Sequence, residues 1–243
     1  MRKDGRSDNA LRRIKVTKDF IKYAEGSCLF EAGNTKVICT ASVEEGVPVF
    51  LKGKGSGWVT AEYAMLPRSC KTRVSRESSR GKVGGRTQEI QRLIGRCMRS
   101  VTNLKKLGER TIWMDCDVLQ ADGGTRCASI CGSFIALILA LEKLREARVT
   151  DNIPVNDYVA AISVGMQGSR VILDLSYDED STAEVDMNIV MTGKERFIEI
   201  QGTAEREPFN HKDMQKMIKV AGKGIRSIVK VQKKVLKGII EEG

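Results

Sequence analysis

The sequence predicts an α+β protein of 243 residues, with two halves of strands followed by a helix packed as one domain over residues 1–243. Two observations predict this class. Short alternating runs punctuated by Gly and Asn give way to apolar residues at helical spacing, and the same order of strands and then a long helix returns after residue 158. The halves divide near residue 150, at about 1–150 and 151–243, without a strict sequence repeat.

The first elements are Ser27–Ala32 and Thr35–Val43, strands joined by Gly33-Asn34, a two-residue link that suits a tight hairpin. Trp58–Leu66 reads as a third strand. Beyond a loop rich in Gly and Arg, Ile90, Leu93, Ile94, Cys97, Met98, Val101 and Leu104 mark one face of a helix, whose other face of Gln91, Arg92, Arg96 and Arg99 is expected to be wet. Thr111–Gln120 reads as a strand, broken by Ala121-Asp122-Gly123-Gly124 before a helix from about Thr125 to Ala147. Its FIALILAL run, Phe134 to Leu141, is apolar all round and belongs at the centre of the molecule. Pro154 marks a connector. Strands at 159–165, 169–176, 184–192 and 197–203 then lead to a last helix from about Asn210 to Ile240, with Met217, Ala221, Ile225 and Ile228 on its packed side and lysines on its solvated side.

Charge narrows the function classes. Lys and Arg number 41 against 31 acidic residues, a formal net charge of +10, which admits a polyanionic partner. No run of eighteen apolar residues exists, and MRKDGRSDNALRR lacks the apolar segment of a secretory signal, so a cytoplasmic protein without a membrane segment is expected. The seven cysteines form no C-x-x-C pair and are expected to behave as free, small hydrophobes. A single histidine, His211, limits any mechanism that needs an imidazole base.

Two stretches nearly mirror each other: Gly84-Gly85-Arg86-Thr87 and Gly123-Gly124-Thr125-Arg126, each at a predicted helix start. Helix starts present unpaired N–H groups and a positive dipole end, and Thr and Arg add donors matched to phosphate oxygens. Either stretch alone could be local capping; the two together in a basic chain point to a phosphate site. The loop 68–82 carries Arg68, Lys71, Arg73, Arg76, Arg80 and Lys82 against Glu77 alone, so it is either a solvated loop or a surface for RNA phosphates. It holds no aromatic residue, which makes base stacking a minor contribution.

Against this basic background, DLSYDEDSTAEVDMNIV at 174–190 concentrates acid. Strand alternation places Asp174 opposite Val171, Leu173 and Leu175, and sets Glu184, Asp186 and Asn188 opposite the core-facing Val185, Met187 and Ile189. A turn near Asp180-Ser181-Thr182 would bring Asp180 and Asp186 together, where paired carboxylates suit Mg²⁺ or a general acid. Asp178, Glu179 and Glu184 read as ordinary acid at a hairpin edge.

These stretches together resemble the ribonuclease PH family of phosphate-dependent 3′-to-5′ exoribonucleases. The resemblance runs through DGR at 4–6, GNTKVICTASVEE from 33, FLKGKGSGWVTAEYAMLPR from 50, GGRTQEIQRLIGR from 84, LGERTIWMDCDVLQADGGTR from 107, the acidic stretch and IEIQGTAE from 198. It implies duplicated βαβ-like halves in a ring-forming subunit, six copies as a trimer of dimers. It also implies phosphate binding by Arg86, Gly124, Thr125 and Arg126, catalysis and Mg²⁺ binding by Asp180 and Asp186, and tRNA contacts from Arg68, Arg73 and Arg76. The implied activity is trimming of tRNA precursor 3′ ends with inorganic phosphate, releasing nucleoside 5′-diphosphates; the alternative is a catalytically silent RNA-binding ring subunit. Which aspartate holds metal and which protonates is left open. Arg13 stands where the family commonly has proline, and Cys127 and Cys131 where threonine is common, which raises the question of oxidation beside the phosphate site.

Overall fold

Strand pairing in the first half follows directly from the hairpin at Gly33-Asn34, in a computed structural model that describes residues 2–240, with Arg80 in backbone only. Around it lie β1 (Ile14–Lys18), β2 (Gly26–Ala32), β3 (Thr35–Glu45), β4 (Trp58–Met65) and β5 (Arg110–Gln120), in the order β1-β2-β3-β5-β4. The short, lysine-bearing β1 escapes prediction because IKVTK has too few apolar residues to show a period; its pairing with β2 defines it. β4 and β5 pair in parallel, so the intervening α1 (Gly85–Val101) is a crossover helix. The short α2 (Leu104–Leu107) follows it.

The second half holds β6 (Val159–Gln167), β7 (Arg170–Leu173), β8 (Val185–Thr192) and β9 (Phe197–Ala204) in the order β7-β6-β8-β9, antiparallel throughout. Both halves thus set helices on a sheet, but among the described residues only the first contains a parallel βαβ crossover. The predicted strand 169–176 stops at Leu173 because Asp174 adopts φ 56 and turns the chain. A one-turn helix, α4 (Tyr177–Asp180), stands where the sequence suggests only a turn.

The central helix is α3 (Thr125–Glu146), which packs against β2 and β3 of one sheet and β6 of the other. Every residue from Cys127 to Leu141 is buried, as the all-round apolar run requires. Each large side chain buried there contributes roughly 1.5–3 kcal/mol. This helix is long and apolar enough to cross a membrane by length and composition, yet most of it is buried inside the fold, where the two sheets take the place of lipid. Beside it lies α5 (His211–Val235), which ends five residues before the predicted limit at Ile240. Its fully buried Gln232 donates from Nε2 to Val159 O at 2.9 Å and to Cys131 O at 3.4 Å, tying α5 to β6 and α3. One hydrophobic cluster runs through both halves.

The polar face of α1 is not uniformly wet. Arg99 donates to Val59 O at 2.7 Å and lies over the Trp58 ring at 4.3 Å, while Arg96 pairs with Glu199 of β9. These contacts join α1 to both sheets, and they are long-range, so helical periodicity could not reveal them.

Candidate active site

The turn that ends β5 and begins α3 depends on two glycines in the left-handed region, Gly123 (φ 76) and Gly124 (φ 65). A Cβ on Gly123 would lie 2.5 Å from Leu175 O and 2.9 Å from Tyr177 N, so no larger residue fits against α4. Gly124 is the N-cap of α3, and no side chain caps it, so the first-turn N–H groups stay available to an anion. The turn's carbonyls are pinned from behind: Arg12 Nη1 donates to Asp122 O at 2.5 Å, and Thr35 Oγ1 donates to Gly123 O at 2.7 Å. Buried Asp174 holds Arg12 in turn, accepting from Nη2 at 2.7 Å and from the Arg12 backbone N–H at 2.7 Å. The turn is stiff because its polar groups are spoken for on one side only.

Thr125 opens α3, and its hydroxyl accepts from Tyr63 Oη at 3.0 Å, which leaves the Thr125 proton for another acceptor. Burial raises the Tyr63 phenol, partly opposed by Thr125 and by the charge of Arg86. Arg126, one residue on, bonds Gln201 of β9 and reaches Glu89 of α1 at 3.5 Å; Gln201 also donates to Glu89 at 2.7 Å. This triangle joins α1, α3 and the second sheet. Arg86 is exposed in the first turn of α1, whose N-cap Gly84 is likewise uncapped by any side chain. Among the described residues Glu77 pairs with none of the loop arginines: it accepts from Thr87 Oγ1 at 2.9 Å and fastens the loop to α1.

Asp180 ends α4, and Asp186 lies in β8 between Gly165 and Thr203 of its neighbours. Both line one recess of about 290 Å³, with Ser181, Ala183, Glu205 and Arg206. Desolvation in the recess holds the Asp180 carboxyl above its ordinary range even though the residue opens to solvent, against the lowering charges of Arg126 and Arg86. Asp186 is raised by desolvation, then by Asp180 and Glu205. Like charges crowd here without full compensation, the condition that favours a shared proton or a cation. Among the described residues no three Asp, Glu, His or Cys side chains form a ready-made metal cage. Two hard carboxylates in an open recess nonetheless suit Mg²⁺, which keeps several waters and shares substrate oxygens.

The rest of the acidic stretch does different work. Glu179 is not hairpin-edge acid: it is buried and takes both oxygens to Arg2, Nε to Oε1 at 2.7 Å and Nη2 to Oε2 at 2.6 Å. Asp174, expected on the solvent face of a strand, is buried by the turn at φ 56 and neutralised by Arg12. Asp178 is half-exposed and paired with Lys71 at 2.9 Å and Lys3 at 3.5 Å, and Glu184, just before β8, is likewise half-exposed.

Arg68, Arg73 and Arg76 are exposed and stand outside the carboxylate recess. Arg68 donates to Lys71 O at 3.1 Å, and Arg76 lies close enough to Asp117 on the outward side of β5 to lower its burial-raised carboxyl. A larger recess of about 750 Å³ at the foot of this loop includes Arg68, Lys71, Lys3, Arg6 and Arg13. Carboxylates match several of those cations, whereas among the described residues Asp180 and Asp186 form no ion pair and feel only the nearby charges of Arg126 and Arg86. Cys127 and Cys131 are buried; burial pushes the Cys131 thiol up to about 12 and the Cys127 thiol up as well, so neither is a reactive thiolate.

Sequence reasoning missed Arg12, Thr35, Tyr63, Glu89, Gln201, Glu205 and Arg206. All reach the site from distant elements, and the one local signal was Asp174, a charge in an apolar run.

Two family models match the chain: "3′ exoribonuclease family, domain 1" over residues 10–141 and "domain 2" of the same family over residues 157–224. A protein named ribonuclease PH from Bacillus velezensis is 59% identical over 237 residues, 97% of each chain. Ribonuclease PH of Bacillus subtilis is 56% identical over the same shares. Among solved structures, rice Rrp46 superposes with TM-score 0.79 at 18% identity over 97% of this chain and 100% of that one. A chain of the Archaeoglobus fulgidus exosome with RNA bound to the active site gives TM-score 0.78 at 20% identity, over 95% and 92%.

Proposed function

The chain belongs to the ribonuclease PH family of 3′ exoribonucleases, with phosphate-dependent 3′-to-5′ activity, and from that premise we propose which residues carry the reaction and on which RNA. Inorganic phosphate sits at the start of α3, held by the Thr125 hydroxyl, the N–H groups beyond Gly124, and the guanidinium groups of Arg126 and Arg86. The RNA 3′ end lies between this anion and the carboxylate recess. A phosphate oxygen attacks the last phosphodiester phosphorus, the bond to the 3′ oxygen breaks, and a nucleoside 5′-diphosphate leaves. Position and charge neutralisation supply most of the catalysis. Asp180 and Asp186 would hold Mg²⁺, which when bound offsets the negative charge gathered there. Desolvation raises both carboxyls, the direction that suits one of them to act as general acid toward the departing 3′ oxygen. Run backwards, the same steps extend RNA from nucleoside diphosphates.

The substrates are tRNA precursors, held at a distance from the reaction by Arg68, Arg73 and Arg76, whose exposure suits contacts to phosphates. The working assembly is a homohexameric ring of three dimers in the cytoplasm, a state that sedimentation velocity tests. The observation that carries the reading is the stiffened, uncapped turn Gly123-Gly124-Thr125 opening beside unmatched carboxylates. Its test is a 3′-extended tRNA incubated with the protein and Mg²⁺, with or without phosphate. Shortening with release of nucleoside diphosphates is expected only with phosphate. Equal shortening in both arms defeats phosphorolysis, and no shortening in either favours a silent RNA-binding subunit.

A further inference from the structure

A helix of four residues has no stability of its own, since nucleation costs more than one turn returns. Yet α4 carries Asp180, and its geometry must be held to within a fraction of an ångström for chemistry. Its support comes from outside. Glu179 Oε2 accepts from the Ser176 backbone N–H at 2.9 Å and from Ser176 Oγ at 3.1 Å, closing the helix start. The Glu179 carboxylate then meets Arg2, 177 residues away in sequence, in a two-point fork. Arg2 spends its remaining donors on backbone carbonyls around the same corner: Nη1 on Leu173 O at 2.8 Å and Ala10 O at 3.3 Å, and Nη2 on Asp174 O at 2.9 Å. At this same start, the Tyr177 N–H donates to Asp122 Oδ1 at 3.2 Å, beside the anion-binding turn. The helix is therefore held by Arg2 through Glu179 and by Asp122 through Tyr177, and Asp180 N donates to Ser176 O at 2.9 Å within it.

We propose that Arg2 is a positioning residue for the reaction: through its fork on Glu179 it fixes α4 and thereby the Asp180 carboxylate relative to the phosphate-binding turn. Arg2 does not line the carboxylate recess, so it acts from behind, through Glu179 and the backbone corner at Leu173 and Asp174. Lysine cannot replace it, because one ammonium cannot bridge both carboxylate oxygens and reach the three carbonyls. The inference rests on the catalytic assignment of Asp180 above and adds a residue from the far end of the chain to it.

The test separates positioning from simple stability. Arg2→Met combined with Glu179→Gln removes both charges of the fork together, while Arg6, 3.7 Å from Glu179 Oε2, keeps its pairs with Asp4 and Asp174. Steady-state kinetics with varied phosphate and varied tRNA, beside a thermal melt, are expected to show kcat lower by roughly 10- to 100-fold with both KM values unchanged and a cooperative melt retained. Arg2→Lys, which keeps the charge, is expected to recover only part of kcat. Wild-type kcat in the folded double variant overturns the proposal. So does a loss in which kcat, KM and melting temperature all worsen together, since that is a merely structural role. If the double variant does not fold, Arg2→Lys decides: selective loss of kcat supports the proposal, and unchanged kcat overturns it. A wild-type enzyme that ignored phosphate would instead defeat the functional reading, a separate result.

Discussion

Arg12 and Asp186 show how one residue can serve a site from opposite positions. Arg12 never faces the recess, but it holds the carbonyls of the anion turn, so its removal should be felt in phosphate binding before it is felt in turnover. Arg12→Lys, which loses the fork on Asp174, is expected to raise KM for phosphate with a smaller change in kcat, measured by phosphate titration of initial rates. Asp186 sits in the recess itself. Its carboxyl is raised in the folded state, so the ionised form costs stability at neutral pH, and that cost is relieved only as pH falls through the raised value. Asp186→Asn should therefore stop turnover and leave tRNA binding intact, while raising the melting temperature by about 2–4 °C for each kcal/mol of strain relieved. Removing the neighbouring charge should show the coupling directly: in metal-free buffer, Asp180→Asn is expected to lower the titration midpoint of Asp186, read by carboxyl NMR.

At the scale of the element, the legible and the hidden divide by the range of the forces involved. The core helix α3, the Gly33-Asn34 hairpin and the alternation in β8 are written in local periodicity, and each stands close to where its pattern places it. The two Gly-Gly stretches also read correctly as uncapped helix starts, because glycine's backbone freedom is a local property. What stayed hidden depends on distant partners: Glu179 looks like surface acid until Arg2 arrives, and β1 is a strand only because β2 offers an edge. Among the described residues Arg73 of the basic loop has no such partner, and its action should be electrostatic. Arg73→Ala together with Arg76→Ala is expected to weaken tRNA binding and reduce the slope of log affinity against log salt by roughly 2, measured by titration at several ionic strengths. An unchanged slope would mean that neither arginine meets a phosphate.

For the molecule as a whole, the two sheets share α3, and the Arg126–Glu89–Gln201 triangle crosses between the halves near the carboxylate recess. Arg2 crosses again, from the first residues to α4. Acid should expose this dependence. Burial raises Glu179, but Arg2 and Ser176 outweigh it and hold its carboxyl below the ordinary 4.5, so its contribution is complete above that value and fades as pH falls through the folded one. Melts recorded on either side of pH 4.5 are expected to show wild type losing more stability on acidification than the variant carrying Arg2→Met and Glu179→Gln. The clamp also has a consequence in time. During synthesis Arg2 leaves the ribosome long before its partner 177 residues later, so α4 is fastened only once both halves of the chain have been made.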